Sequence, residues 1–174
     1  MKKFFMMLVL MIGFNANAGL ITLDTTNDVV AIGDTVSIEI NAQDFDFTDT
    51  FSFSLTYDSS LFSYDEFSLM SDLFFTNPFG FFEVNAFDGY IAFSFLDLDP
   101  LPSGNFNLAS FNLTALAEGF SGFAFTGVEF YEGGFFPVIV DSSSTASVQA
   151  VPEPATWLIL LLALAVMSRK RFIR

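Results

Sequence analysis

Cysteine and histidine are both absent from this chain, and between Phe4 and Ser168 it contains no lysine or arginine. Each absence removes a chemistry. Without cysteine the fold cannot be stapled by disulfides and must hold itself together by packing. Without histidine and cysteine there is no Ser-His-Asp or Cys-His machinery, and none of the common zinc ligand sets. A body free of lysine and arginine has no Schiff-base lysine and no cationic clamp for an oxyanion or a phosphate. Neither Gly33 nor Gly89 belongs to a phosphate-cradling glycine motif. Nucleic acid is therefore not an expected partner, because its phosphates must be neutralised by cations, and anionic lipid surfaces are poor partners for the same reason. Only carboxylate chemistry survives, such as a glycosidase pair, and carboxylates this numerous meet by chance. The expectation is a protein that is not an enzyme, with a carboxylate-based carbohydrate-active enzyme as the alternative.

What the chain does contain is carboxylate and phenylalanine. Of its 20 acidic residues all but Glu153 lie between Gly19 and Ala150, while the six basic residues, Lys2, Lys3, Arg169, Lys170, Arg171 and Arg174, sit at the two ends. A chain this acidic would stay unfolded if it were also poor in apolar residues. Here 52% of residues are hydrophobic and 26 are phenylalanine, so the body has ample material for a core and the length of one domain.

Along that body the apolar residues recur with period two, the repeat of a half-buried strand. Phe51, Phe53, Leu55 and Tyr57 alternate with Ser52, Ser54 and Thr56; Val36, Ile38 and Ile40 alternate with polar neighbours; Ile91, Phe93 and Phe95 follow Gly89. Turn-forming residues separate these runs at Gly33-Asp34, Asp58-Ser59-Ser60, Asn77-Pro78, Asp88-Gly89, Pro102-Ser103-Gly104, Glu118-Gly119 and Gly133-Gly134. One run breaks parity: Phe106 and Leu108 are even-numbered, Phe111, Leu113 and Ala115 odd. Both sets reach one face only if the strand gains a residue near Ala109-Ser110, as a β-bulge or bend. Seven or more short strands without an amphipathic helix predict an all-β fold, a single antiparallel β-sandwich spanning 19–150.

The two ends read as an itinerary. Lys2 and Lys3, the apolar stretch Phe4 to Phe14, and Ala16-Asn17-Ala18 before Gly19 form a signal peptide, 1–18, with cleavage expected between Ala18 and Gly19. At the other end, Pro152 and Pro154 break any regular element, an apolar run follows from Ala155 to Met167, and a basic stub closes the chain. By the positive-inside rule Arg169, Lys170 and Arg171 stay on the cytoplasmic side. The run has 13 residues and spans roughly 20 Å as a helix, short of the ~30 Å hydrocarbon core. It suits a transient membrane segment, or an anchor lengthened by Phe172, Ile173 and snorkelling arginines. Residues 151–174, with Val151-Pro152-Glu153-Pro154 followed by a transmembrane helix and a basic tail, resemble the PEP-CTERM sorting signal of Gram-negative bacteria. That resemblance implies an exosortase-type membrane protease and the secretion machinery as partners. It implies a precursor in the inner membrane and a mature form at the cell surface or in the extracellular, biofilm matrix.

The body is similar to the cohesin-like domains, relatives of carbohydrate-binding jelly-roll modules. The likeness rests on four stretches: Ala31-Ile32-Gly33-Asp34-Thr35-Val36, Phe51 to Phe62 with its Tyr57-Asp58 before a turn and Leu61, Gly89 to Phe95, and Gly104 to Phe111. It implies a nine-stranded jelly roll that binds its partner through a sheet face, a polysaccharide or another surface protein being the kinds of partner in view.

Calcium is the one cofactor the carboxylates suggest, and it would make a calcium-dependent glycan-binding or adhesion module the alternative reading of the body. Asp44, Asp46 and Asp49, and Asp97 with Asp99, place carboxylates at spacing two, and calcium takes six to eight oxygen ligands from such loops. No EF-hand loop is present. The alternative is a solvated acidic rim that keeps the protein soluble. Asn112-Leu113-Thr114 has the form of a glycosylation sequon, but it falls inside an expected strand of a bacterial protein and carries no function here.

Overall fold

The computed structural model describes residues 19–45, 48–73, 80–101, 103–142 and 145–152, with backbone only at 98–100. The signal peptide, Glu153 and everything after it lie outside the described residues. The strands are β1 (Gly19–Thr25), β2 (Val29–Ala31), β3 (Thr35–Phe45), β4 (Thr48–Thr56), β5 (Phe62–Met70), β6 (Phe81–Phe87), β7 (Tyr90–Leu101), β8 (Gly104–Ala115), β9 (Gly119–Glu132), β10 (Phe136–Pro137), β11 (Val140–Asp141) and β12 (Ala146–Val151). They form two sheets, one ordered β11-β1-β3-β8-β5 and the other β2-β12-β9-β4-β7-β6, with β10 beside β9. Three of the twelve strands have only two or three residues, and the other nine carry the sandwich.

The expected alternation is what buries the core. Val36, Ile38 and Ile40 of β3, Phe51, Phe53 and Leu55 of β4, and Ile91, Phe93 and Phe95 of β7 all point inward, none more than 2% exposed. Aromatic rings fill the space left by the missing disulfides. Phe51 stacks on Phe95 at 5.2 Å and on Phe130 at 5.0 Å, and Phe53 stacks on Phe93 at 4.8 Å. Three ring contacts join the layers: Phe45 to Phe130 at 4.9 Å, Phe93 to Phe111 at 6.0 Å and Phe62 to Phe123 at 6.0 Å. Each buried ring removes on the order of 150–250 Å² from water, which makes this the dominant stabilising term.

The parity break in β8 is a bulge at Leu108, one residue earlier than Ala109-Ser110. Ile40 pairs with Ala109 and Asn41 with Asn107, so Leu108 is the extra residue, and it and Ala109 are both fully buried. A second bulge, in β9, lies opposite Phe53, where Ser52 pairs with Glu129 but Ser54 with Thr126. Gly127 occupies it with φ 62°, a left-handed conformation that glycine adopts without a Cβ clash. The sandwich is antiparallel except at its rims, where β1 pairs with β11 and β12 with β2 in parallel. Val151 pairs with Ala31 at the end of β12, and Pro152 follows it directly. Among the described residues no helix is long and apolar enough to cross a membrane.

Candidate functional site

Two surfaces stand out, and the strand registers define both. The first is the outer face of the β9-β4-β7-β6 sheet. Because Phe51, Phe53 and Leu55 of β4 and Ile91, Phe93 and Phe95 of β7 are buried, the even residues from Thr50 to Thr56 and from Tyr90 to Leu96 face out, and the ladders align them with β9 and β6 in four rows. These are Ala124-Thr56-Tyr90-Phe87, Thr126-Ser54-Ala92-Asn85, Glu129-Ser52-Ser94-Glu83 and Tyr131-Thr50-Leu96-Phe81. The two middle rows carry small hydroxyl and methyl side chains at their centre, and both outer rows end in large apolar or aromatic groups. At one end Phe87 stacks on Tyr90 at 4.8 Å. At the other, Phe81 and Leu96 are more than half exposed and Tyr131 donates to Glu129 at 3.2 Å. Glu129 raises the Tyr131 phenol pKa above its ordinary value, by its charge and then by that hydrogen bond. The result is a flat, low-centred platform with raised aromatic ends and no cation.

The second surface is a groove where the two sheets part. β5 is the last strand of one sheet and β6 of the other, and two adjoining hollows of about 480 and 560 Å³ lie between them. Tyr57, Tyr64, Phe67 and Phe87 supply its aromatic lining. Its shape comes from a break in the β5-β8 ladder: Asp65 pairs with Asn112 and Met70 with Ser110, so Glu66 to Leu69 loop outward. Side chains fix the loop, since Phe67 N donates to Asp65 Oδ1 at 3.1 Å and Ser68 Oγ donates to the Asp65 carbonyl at 2.6 Å. Asn112 N donates to Ser68 Oγ at 2.8 Å and closes the arrangement. Phe67 is thereby held 93% exposed. On the β6 side the Asp88-Gly89 hairpin places its acid at the groove. Gly89 sits at φ 83°, and its carbonyl accepts from Tyr57 N at 3.0 Å. Burial, and then the Asp88 charge, raise the Tyr57 phenol pKa. Burial also pushes Tyr64 up to about 12, with Glu66, Asp65 and Tyr57 adding to it. In the turn after Tyr57, Ser60 donates to Asp58 Oδ1 from both its N, at 2.9 Å, and its Oγ, at 2.6 Å. The side-chain bond leads in holding the Asp58 carboxyl below its usual range.

Of the carboxylates singled out for calcium, the side chains of Asp44, Asp49 and Asp97 are described. Asp97 continues the inward parity of Phe93 and Phe95 and is 5% exposed, so it belongs to the interior rather than to a rim. Asp49 Oδ1 accepts from Gly134 N at 3.1 Å. Asp44 has φ 54°, and its N donates to Asn105 Oδ1 at 2.8 Å. Asp46 and the Asp99 side chain lie outside the described residues. Among the described residues no three acidic side chains stand close enough to hold a metal ion. Of the sorting and cleavage residues, Gly19, Val151 and Pro152 are described, whereas Ala16, Ala18, Glu153, Pro154, Arg169, Lys170 and Arg171 lie outside. Asn112 sits in the β8 ladder, pairing with Ser37 on one side and Asp65 on the other.

Two sheets in this order, an aromatic core between them and one open seam decide the architecture. The fold is that of a cohesin domain. A non-cellulosomal cohesin from Archaeoglobus fulgidus superposes with a TM-score of 0.62 at 13% identity, over 80% of this chain and 95% of that one. A cohesin module from the family 33 glycoside hydrolase of Clostridium perfringens gives 0.60 at 17% identity, over 78% and 98%. The sixth cohesin of scaffoldin B from Acetivibrio cellulolyticus, solved in complex with a Cel5 dockerin, gives 0.61 at 20% identity, over 75% and 99%. No family model matches the chain, and no curated protein sequence matches it. At such identities the cohesin likeness is one of fold. The groove went unnoticed in the sequence, where its only trace is the exposed Asp65-Glu66-Phe67 interruption of an otherwise alternating strand.

Proposed function

We propose that this protein is an exported, non-enzymatic binding module of the cell surface or extracellular matrix, which docks a protein partner on the outer face of β9-β4-β7-β6. The observation that carries the reading is the row pattern of that face. Small side chains at the centre let a partner backbone or helix approach closely, and the aromatic ends supply the large, rigid contacts that dominate interface energies. Several cohesins of this fold were solved with dockerins bound, among them the Acetivibrio cellulolyticus and Clostridium thermocellum examples. That supports a protein partner in general, without carrying a dockerin across. Delivery follows from the ends: the signal peptide directs export from a Gram-negative cell, and an exosortase-type protease processes the PEP-CTERM signal in the inner membrane.

The experiment is retention in the native host. Ser54→Arg and Ser94→Arg place a long cation at the centre of the platform, where neither residue contributes to the core. Both variants should be exported and folded, and should leave the surface or matrix fraction for the medium with at least about a tenfold loss of retention. Unchanged retention overturns the face as the docking surface.

A further inference from the structure

The groove between β5 and β6 borders that face at Asn85 and Phe87, and its chemistry is different. Besides the buried Phe62, four aromatic side chains line it together with two carboxylates, Glu66 and Asp88, that accept no hydrogen bond from another described residue. Asp65 is not a third, since its Oδ1 is turned back onto Phe67 N. No lysine or arginine exists anywhere in the folded body to offset the two charges.

We propose that this groove binds an amine-bearing glycan, a chain of amino sugars with free, protonated amines. Each class of group in the groove has a counterpart in such a ligand. The apolar C–H face of a sugar ring lies against Phe67 or Phe87, the amine meets Glu66 and Asp88, and the ring hydroxyls meet the Tyr57 and Tyr64 phenols. A cation beside an aromatic face and a carboxylate gains from both. Acidic or sulfated glycans are repelled, because nothing in the body can neutralise them. A neutral glycan uses the rings and phenols but leaves both carboxylates without a counter-ion. A basic peptide matches the carboxylates and rings but not the two hydroxyl positions. The groove is open along its length, as the two adjoining hollows share Tyr64, Glu66 and Phe67, which suits a chain rather than a single small molecule.

The test is calorimetric titration of the full chain at pH 5.5 and low salt with four probes: a glucosamine hexamer, an N-acetylglucosamine hexamer, a glucose hexamer of cellulose type and hexalysine. The glucosamine hexamer should bind at least about tenfold more tightly than the two uncharged glycans and than hexalysine, a margin of about 1.4 kcal/mol. Glu66→Gln and Phe67→Ala should each weaken it by about tenfold or more with the melting midpoint unchanged, since both side chains are exposed. Ser94→Arg should leave it intact, which separates this site from the docking face. Equal binding of all three glycans overturns the amine requirement, and equal binding of hexalysine makes the groove a peptide site. Absence of glucosamine binding overturns the proposal. So does an equal loss in Glu39→Gln, an exposed acid of β3 that does not line the groove, because binding would then be diffuse attraction to an acidic surface.

Discussion

Replacing Phe53 by alanine should be among the most damaging single changes this fold can suffer, while the same change at Ser54, one residue along, should be nearly silent. Phe53 is 2% exposed and stands in the middle of the ring stack. It lies 4.8 Å from Phe93, 5.7 Å from Phe51 and, edge-on, 5.7 Å from Phe125. Burying a phenylalanine removes about 150–250 Å² from water, worth about 4–6 kcal/mol at 25 cal/mol per Å² as an upper bound. Measured truncations of this kind cost about 3–5 kcal/mol. These ring partners, with Phe130 a fourth at 6.4 Å, argue for the top of that range, because each aromatic pair adds about 0.5–1.5 kcal/mol beyond its area. We expect about 4–5 kcal/mol, a fall of roughly 12–25 °C in melting temperature for a domain of this size. Against a total stability of about 5–15 kcal/mol, that change leaves the domain marginal. Ser54 is on the outer face with no hydrogen-bonded role in the core, so Ser54→Ala should cost well under about 1 kcal/mol. Urea unfolding followed by circular dichroism measures both. Equal effects at the two positions would refute the register assigned to β4.

Four further outcomes are expected. N-terminal sequencing of the exported protein should begin at Gly19, because Ala16 and Ala18 present the small residues a signal peptidase reads; a mature chain starting at Met1 contradicts export. Replacing Pro152-Glu153-Pro154 by alanines, or neutralising Arg169, Lys170 and Arg171, should trap precursor in the membrane fraction, and an unchanged mass and distribution would make the segment a simple anchor. In a tyrosinate absorbance titration the last step should fall near pH 12, vanish in Tyr64→Phe and move down in Glu66→Gln. Its folded pKa is raised, so the stability Tyr64 contributes is complete below about pH 10 and is lost as pH climbs through about 12. Finally, sodium chloride should raise the melting midpoint of this strongly acidic body by screening, and calcium should exceed it at equal ionic strength only if a true site exists; equal shifts would leave the carboxylates as a soluble coat.

What could be read from the chain alone followed from parity. Where a strand keeps one face buried over an unbroken run, as at 36–42 of β3, 51–55 of β4 and 91–95 of β7, its sequence alternates and the core residues can be named in advance. In β8 the switch from even to odd apolar positions exposed the bulge, and the error of a residue in placing it has a simple source. Leu108 and Ala109 are both fully buried, so alternation has no meaning across that step, and only the partner strand fixes which residue is extra. The β9 bulge was missed because Phe123 and Phe125 give way to Val128 and Phe130 through a glycine, which reads as a turn when its neighbours on β4 are unknown.

The carboxylates show the limit of spacing as a guide to sites. Asp97 and Asp99 read as a pair because they stand two apart, yet the same period that pairs them also puts Asp97 in register with Phe93 and Phe95, and burial along β7 is set by the rings. The short spacing names two neighbouring carboxylates, and the longer run of rings assigns the direction of Asp97, because that run carries several kcal/mol of buried aromatic surface. The groove is the converse case. Tyr57, Phe67 and Asp88 sit on different strands and turns, and they meet only because β5 and β6 end separate sheets and four residues of β5 leave the ladder. Nothing in the spacing of these residues encodes that meeting, since it is created by the seam between layers. A surface such as the platform on β9-β4-β7-β6 lies between these extremes. Its rows are implicit in the alternation of each strand, and become visible once the registers between strands are known.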